Sequence, residues 1–407
     1  MSYESLSKLY YSDKENYKEL YIQRFGSENA VKLDFKIGEH QAFFVQSKEV
    51  IELIYRIMTE DKEILKLSET LPPKALGQYS RKCLIDEIVI TNNIEGVYSS
   101  RKEIGEALDT LEKQSERKGK KNKFNGIVKK YLRLLKSDPV ELTTCKDIRA
   151  LYDELILAEV ISDDKNNAPD GQIFRKGQTE IYSPAGKIIH RGKYPEAEII
   201  THMEKALRFF NDEAVLPLYR MCIFHYLLEY IHPFYDGNGR LGRFILSYCI
   251  SRNLEWLLAF KISQTIKENI SKYYKAFTVS GDPKNLSDLT PFLIMMLEMI
   301  YDSAKDLKDS LTNKLSRWNS YKALNEKIIQ SGTEIYYSLY DILLQAALFS
   351  EMGISLQELM DHLDISYSTL ANKLKFFKEK NLLTEIKRGN AKYYQMDLQI
   401  LDALTEL

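Results

Sequence analysis

Apolar residues recur three and four positions apart along most of the chain, a spacing that places them on one face of an α-helix. This pattern predicts helices over 48–67, 82–94, 103–113, 127–136, 147–160, 196–211, 216–231, 241–252, 264–277, 290–306 and 335–350. Gly, Pro and Asn gather at 162–172 and 280–288, where we expect loops. The pattern therefore predicts a mainly α fold.

One stretch departs from the helical spacing. Residues 173–190 contain two short β-leaning runs around Ser183-Pro-Ala-Gly186, which predicts a β-hairpin. A free strand edge can pair with an extended segment of another protein. The hairpin is therefore either a functional flap or a decoration of the surface.

The order of elements at 335–407 is helix, helix, helix, hairpin, which is typical of a winged helix-turn-helix with 367–380 as its recognition helix. Many such modules contact proteins instead of DNA, so both roles stay open. The side chains that would read DNA or meet its phosphates are Tyr367, Ser368, Thr369, Asn372, Lys373 and Arg388.

Composition narrows the function classes. The 407 residues suggest two or three domains. Lysine and arginine number 57 against 58 acidic residues, a net charge of −1, which excludes binding of nucleic acid or membranes through bulk charge. The four cysteines are far apart and form no Cys-x-x-Cys pair, and no apolar run is long enough to span a bilayer. We therefore expect a cytoplasmic protein with no membrane partner.

The segment 225–250 carries the candidate chemistry, and two partial motifs in it fail on context. Gly237-x-Gly239-x-x-Gly242 matches a dinucleotide fingerprint, but that fingerprint needs a preceding strand and here follows a helical pattern. Glu229-x-x-His232 is half of a di-iron site, and the chain has no second copy.

An anion-binding site explains the residues of this segment better than either partial motif. Pro233 ends the first helix, and a short loop then leads into a second one. Gly237 and Gly239 leave backbone N–H groups free at the start of that helix, where its dipole favours phosphate. Arg240 and Arg243 lie three residues apart, so they share a helix face and can both bind phosphate oxygens.

Two further side chains complete this site. Asp236 stands beside the phosphate nest and is a natural ligand for Mg²⁺, which prefers carboxylate and phosphate oxygens. His232 lies at the rim, where it can take a proton from an attacking hydroxyl.

Residues 232–243 read HPFYDGNGRLGR, and they match the Fic-family motif HPFx(D/E)GNGRxxR at every fixed position. The chain therefore resembles Fic proteins over roughly residues 35–300. The resemblance implies a Fic-type helical bundle with a β-hairpin flap, followed by the winged helix-turn-helix. It also implies transfer of AMP from ATP to a Ser, Thr or Tyr hydroxyl of a target protein, or of the chain itself.

The resemblance assigns roles residue by residue. His232 would be the general base and Asp236 the Mg²⁺ ligand. Gly239 favours the AMP-transferring branch over the phosphorylating Doc branch, which has lysine there. The nucleotide-binding set would comprise Asp236, Gly237, Asn238, Gly239, Arg240, Arg243 and Asn269. The hairpin falls where the family places its target-docking flap, which would include Ile181 and Tyr182.

A second resemblance lies upstream. Thr91-Asn-Asn-Ile-Glu95-Gly96 matches the family's inhibitory motif (S/T)xxxE(G/N). Glu95 would pair with Arg243 and occupy the γ-phosphate position. Two alternatives stay open: removal of AMP, with Glu95 positioning the water, and a DNA-binding regulator whose Fic core senses nucleotides. A homodimer also stays open.

These inferences divide the chain into four expected segments. They are an N-terminal helical region with the inhibitory motif at 1–110, a Fic catalytic core at 111–305, a linker helix at 306–334 and the winged helix-turn-helix at 335–407.

Overall fold

The computed structural model describes residues 3–112, 123–136, 138–182, 188–330, 333–388 and 391–405. Its internal contacts form two compact units. The first groups residues up to Lys62 with Leu84–Lys305, and the second groups Glu63–Cys83 with the residues from Asp306 onward. Helices dominate the described residues, which confirms the predicted mainly α class.

The first unit contains all or part of fourteen described helices: α1 Leu6–Ser12, α2 Tyr17–Gly26, α3 Lys48–Thr70, α4 Pro73–Ile94, α5 Arg101–Glu112, α6 Asn125–Leu135, α7 Cys145–Tyr152, α8 Ala158–Asp163, α9 Glu196–Phe210, α10 Pro217–Ile231, α11 Asn238–Asn253, α12 Ile262–Glu268, α13 Ile270–Gly281 and α14 Thr290–Lys322. Three of them, α3, α4 and α14, also have residues in the second unit. A π-helical turn, Asp153–Leu157, joins α7 to α8. Short 3₁₀ turns occur at Lys165–Asn167, Trp256–Phe260 and Pro283–Asn285.

Two antiparallel hairpins accompany these helices. The first, β1 Ala30–Ile37 with β2 His40–Val45, was not predicted, and its turn uses Gly38 at φ +59°. The second, β3 Glu180–Tyr182 with β4 Ile188–Arg191, lies within the predicted hairpin segment. Its strands are shorter than the predicted runs, and 183–187 lie outside the described residues.

Helix α10 is the core of the first unit, because it is apolar on all sides and therefore buried on all sides. It packs against α9 and α11. It ends at Ile231, two residues before Pro233, as proline's steric restriction predicts. The loop that joins α10 to α11 is thus held between two core helices.

The second unit adds α15 Asn325–Ile329, α16 Glu334–Phe349, β5 Ile354–Ser355, α17 Leu356–Leu363, α18 Tyr367–Glu379, β6 Leu383–Arg388, β7 Ala391–Met396 and α19 Leu398–Thr405. The three strands form one sheet in the order β5-β7-β6. Ser366 caps α18 by accepting from the Thr369 amide. The assignment of 335–407 to the winged helix-turn-helix class stays a prediction, as do the four segment boundaries.

In the part of the chain that the structure describes, no helix combines the length and the apolar composition needed to cross a membrane. The cysteines Cys83, Cys145, Cys222 and Cys249 are all buried free thiols.

Candidate active site

A cavity of about 440 Å³ surrounds the loop between α10 and α11. Its volume lies in the range of small-molecule sites. Residues Tyr235–Gly239 form one side, residues of α13 form the other, and Glu95, His232 and Arg243 also line it. The sequence motifs at 91–96 and 232–243 therefore meet in one cavity, although they are far apart in the chain.

His232 sits at the turn that ends α10. Its backbone is left-handed, with φ +53°, and its amide donates to the Leu228 carbonyl at 2.8 Å. Burial, with the nearby His190 and the charge of Arg175, lowers the pKa of the His232 ring to about 3. The ring is therefore neutral at pH 7, and a neutral ring is the form that can accept a proton.

The loop after His232 is fixed from inside. Gly237 caps α11 with φ +84°, and a Cβ there would collide with the Ile156 side chain. Asn238 is buried, and its side-chain amide makes two hydrogen bonds to the main chain of Phe234. Oδ1 accepts from the Phe234 nitrogen at 3.0 Å, and Nδ2 donates to the Phe234 oxygen at 2.8 Å. The Asn238 side chain, expected to bind phosphate, thus closes the loop around the first amides of α11.

Arg243 lies on α11 with its side chain 1% exposed, and its acceptors come from α4 and from Glu95 just after that helix. Its Nε donates to Thr91 Oγ1 at 2.8 Å, and its Nη2 donates to Thr91 O at 3.1 Å and to Glu95 Oε1 at 2.7 Å. Helix α4 ends at Ile94, and Gly96 turns the chain away with φ +73°. Thr91 and Glu95, the two polar residues at fixed positions of the candidate inhibitory motif, therefore contact the same guanidinium.

Glu95 lies directly over the first turn of α11. A Cβ on Gly239 would collide with Glu95 Oε1, so only glycine leaves room for the carboxylate there. Burial raises the pKa of Glu95, but the charge and hydrogen bond of Arg243 outweigh it and hold the pKa below its ordinary value. A carboxylate with a lowered pKa thus covers the position where the sequence predicts phosphate.

Arg240 points elsewhere. It is buried, and its Nη1 donates to Glu159 Oε2 at 2.5 Å, while its Nη2 lies 3.7 Å from Asp236 Oδ1. The cavity lining includes Arg243 and Asp236 but not Arg240. Sequence reasoning missed Glu159, although an acid that follows Leu155 and Ile156 on an apolar helix face was a usable signal.

Asp236 projects a carboxylate, 40% exposed, into the cavity beside the first turn of α11. Its main-chain oxygen accepts from the Tyr152 hydroxyl at 3.1 Å, which fixes its place in the loop. Among the described residues, no group of three or more His, Cys, Asp or Glu could hold a metal ion. A single carboxylate suits Mg²⁺ that arrives with a nucleotide's phosphates, because Mg²⁺ keeps most of its other ligands as water and phosphate.

Aromatic rings form the far side of the cavity. Tyr226 and Phe277 stack with centroids 5.7 Å apart, and Tyr273 meets Phe277 edge-on at 5.0 Å. The Tyr273 hydroxyl bonds to His225 Nε2 at 2.6 Å. Sequence reasoning missed this aromatic cluster, whose rings suit contact with a nucleobase. Asn269, the residue predicted to contact the nucleoside, lies outside the cavity lining and donates to the Thr265 carbonyl at 3.0 Å.

The hairpin borders the same cavity. Ile181 of β3 lines it and lies opposite His190 of β4, which also lines it. Tyr182 pairs with Ile188 along the backbone, but its side chain lies outside the described residues. One of the two predicted flap residues thus lines the same cavity as His232.

Glu229 is a buried carboxyl in the cavity wall. Burial, with the charge of Glu95, raises the pKa of Glu229 to about 8. Its Oε2 lies 3.8 Å from His232 Nδ1, and its Oε1 has no hydrogen-bond partner among the described residues. At neutral pH this acid is mostly protonated and uncharged.

Comparison with known proteins now bears on this cavity, because residues 142–250 match the Fic/DOC family. The chain contains a Fic domain. Over 120 residues the chain is 32% identical to the protein adenylyltransferase fic-1 of Caenorhabditis briggsae. The aligned region covers 27% of this chain and 22% of the nematode protein. A probable protein adenylyltransferase of Aquifex aeolicus is 27% identical over 216 residues, 53% of this chain and 60% of that one. The matched region thus spans about a fifth of the nematode protein.

A solved structure gives the same result for the fold. A Fic family protein from Desulfovibrio desulfuricans superposes with a TM-score of 0.52 and 21% identity, covering 87% of this chain and 97% of that one. At this identity the likeness concerns the fold alone. The segment 142–250 contains the hairpin, the loop and most of α11, so the Fic domain carries the central part of the cavity.

Gly237→Ala is expected to destabilise the Fic domain by about 2–4 kcal/mol, because alanine at φ +84° is strained and its Cβ collides with Ile156. Gly38→Ala is the matched control: it also has a positive φ, +59°, but nothing lies within 4 Å of its Cβ, so a loss of about 1 kcal/mol is expected. Urea denaturation measures both. Equal losses would show that the contact with Ile156 does not shape the loop.

Glu229→Gln is expected to gain stability relative to the parent as pH rises from about 4.5 to about 8. In this window the folded parent holds a proton that the unfolded chain releases, so the parent's unfolding free energy falls with pH by about 1.4 kcal/mol per unit. Glutamine carries no such proton. Thermal melting at several pH values tests this, with the exposed Glu28→Gln as control. A stability difference that does not change with pH would contradict the raised pKa.

Proposed function

We propose that this chain is a self-inhibited protein adenylyltransferase that transfers AMP from ATP to a Ser, Thr or Tyr hydroxyl of a target protein or of itself. The observation that carries the proposal is the meeting of a neutral His232 and an anion nest in one cavity. The names of the relatives that match the Fic domain support the same activity.

The cavity suits ATP from end to end. The aromatic side offers a surface for the base, and the amides at the start of α11 face the phosphates with the helix dipole behind them. Arg243 supplies a cation for the outer phosphates. Asp236 would hold Mg²⁺, which supplies charge neutralisation for the triphosphate when bound. The assignment of Asn269 to the nucleotide draws no support from its contacts. Arg240 keeps two buried donors, Nε and Nη2, without a hydrogen-bond partner among the described residues, although it does not line the cavity.

The chemistry is a displacement at the α-phosphorus. His232 takes the proton of the target hydroxyl while the hydroxyl oxygen forms a bond to the α-phosphorus. The bond between the α-phosphorus and the oxygen that bridges to the β-phosphate breaks, and pyrophosphate leaves. Positioned proton transfer of this kind contributes about 10²–10⁴ in rate. The negative charge of a bound triphosphate raises the pKa of His232 above its value in the empty cavity, which makes the ring a stronger base.

Glu95 supplies the inhibition in this proposal. Its carboxylate covers the nest and holds Arg243, so it repels the γ-phosphate and competes for the same guanidinium. The pair joins a buried guanidinium to a carboxylate whose side chain is 26% exposed. A hydrogen bond between charged groups contributes about 1.5–3 kcal/mol, whereas tenfold repression needs only about 1.4 kcal/mol. The contact is therefore strong enough to keep ATP from its reactive position.

Glu95→Gly is expected to raise AMP transfer at least tenfold, measured as incorporation of label from ATP labelled at the α-phosphorus into lysate proteins or the chain itself. Glu95→Gln separates charge from shape, since it fills the same space without an anion. Adding His232→Ala to Glu95→Gly should remove the signal. If Glu95→Gly labels neither itself nor any lysate protein, the proposal is wrong.

Removal of AMP is the competing activity for the same cavity. The parent and Glu95→Gly are given an AMP-modified protein, and released AMP is measured. Release by the parent that disappears in Glu95→Gly would favour the competing activity, because Glu95 would then be needed to position water.

The second unit offers a separable role, which we propose is DNA contact through α18. The start of this helix is exposed, with Tyr367 62% exposed, and Lys375 extends from the same helix with its side chain 72% exposed. Lysines on an exposed helix after an N-cap suit phosphate and base contacts. The role would not require the Fic cavity.

Tyr367→Ala with Lys375→Ala is expected to weaken binding to DNA from upstream of the chain's own gene and to lower the salt slope by about one. Footprinting at several salt concentrations measures this, with Lys18→Ala in the first unit as control. His232→Ala should leave the footprint intact. Absence of any footprint would exclude this role for that DNA.

A further inference from the structure

Arg175 precedes the β3–β4 hairpin and is fully buried. Its guanidinium donates to three main-chain carbonyls from three segments. Nε donates to His232 O at 3.0 Å, Nη2 donates to Lys193 O at 2.8 Å, and Nη1 donates to Gly177 O. One side chain thus joins the segments just before and just after the hairpin, at Gly177 and Lys193, to the backbone of the candidate base.

The hairpin also satisfies the carbonyls at the end of α10. The main-chain oxygens of four consecutive residues, 230–233, pair with groups from the hairpin and from the segments on either side of it. Tyr230 O pairs with His190 Nε2 at 2.7 Å, and Ile231 O accepts from the Lys193 amide at 2.9 Å. His232 O accepts from Arg175 Nε, and Pro233 O accepts from the Arg175 amide at 3.3 Å. The last carbonyls of a helix lack partners within the helix, so this end of α10 takes its cap from the hairpin.

A buried charged side chain is an unusual way to hold main-chain segments together if its role is only structural. Removing a guanidinium from water is costly, and burial lowers the pKa of Arg175. What arginine provides is a rigid planar fork with five donors, which can fix several acceptors relative to one another. The left-handed backbone of His232 is a sparsely populated conformation that persists only when its surroundings hold it.

We propose that Arg175 is a positioning residue that fixes His232 against the hairpin, so that a hydroxyl presented along the hairpin meets the ring of His232. The inference rests on the proposed AMP transfer. The carbonyls that accept from the Arg175 guanidinium, those of His232, Gly177 and Lys193, all lie outside α11. Loss of Arg175 should therefore affect the rate of transfer more than nucleotide binding.

The kinetic experiment uses the full chain with Glu95→Gly, in which transfer is measurable. Adding Arg175→Met should lower kcat about tenfold or more and leave the KM for ATP within about twofold, since misplacement of a reacting group acts on the rate. Arg175→Lys keeps the charge but not the fork, so an intermediate kcat is expected. Arg133→Met is the matched control, because Arg133 also donates to a main-chain carbonyl, that of Pro139, at 2.7 Å.

An activity-independent measurement accompanies it. Hydrogen exchange followed by mass spectrometry should be faster in Arg175→Met at 190–195 and 229–235, and unchanged at 240–250 of α11. Parent-like kcat and exchange in folded Arg175→Met would overturn the proposal. If Arg175→Met does not fold, parent-like kcat in Arg175→Lys would overturn it too. If the Glu95→Gly chain transfers no AMP, the proposed function fails, while unchanged exchange would separately refute the link to His232.

Discussion

The buried guanidinium of Arg243 is the constraint on which the cavity depends. A cation that is 1% exposed must be surrounded by acceptors, and they come from Thr91 on α4 and from Glu95 just after it. One helical turn before Thr91, Glu87 accepts from the amide and hydroxyl of Ser263, which holds α4 in the same register. Because Thr91 alone makes two of the three bonds to Arg243, removal of Glu95 still leaves the charge partnered. The inhibition that we propose can therefore be lost without loss of the fold.

The sequence predicted those parts of the fold whose determinants are local. The end of α10 follows from Pro233, and the hairpin follows from its β-leaning runs around a turn. The hairpin at 30–45 was missed, although alternating polar and apolar residues over 31–37 followed by Gly38 were a readable signal. The helix predicted at 264–277 is broken at Asn269 into α12 and α13. The apolar spacing continues through that break, so periodicity alone could not reveal it.

The site was predictable in its residue list but less so in the direction of its side chains. Helical spacing places Arg240 and Arg243 on one face, yet Glu159 draws the first into the interior and Glu95 binds the second at the cavity. Each partner lies more than eighty residues away in sequence, so spacing could not choose between them. Asn238 was likewise assigned to phosphate, but its two amide atoms are already bonded to the main chain of Phe234. Long-range partners, absent from any local pattern, decide these orientations.

Two separate restraints act on the loop between α10 and α11. The hairpin caps the end of α10 and fixes the backbone of His232, whereas α4 covers the start of α11 through Glu95. The first restraint concerns the proton acceptor and the second concerns the phosphates. Because their contacts lie on different residues of the loop and helix, an incoming triphosphate can compete with Glu95 while the hydrogen bonds that hold His232 stay intact. A preorganised base beside a covered anion nest is consistent with the self-inhibition that we propose, since under that proposal the catalytic geometry need not be rebuilt each time Glu95 withdraws.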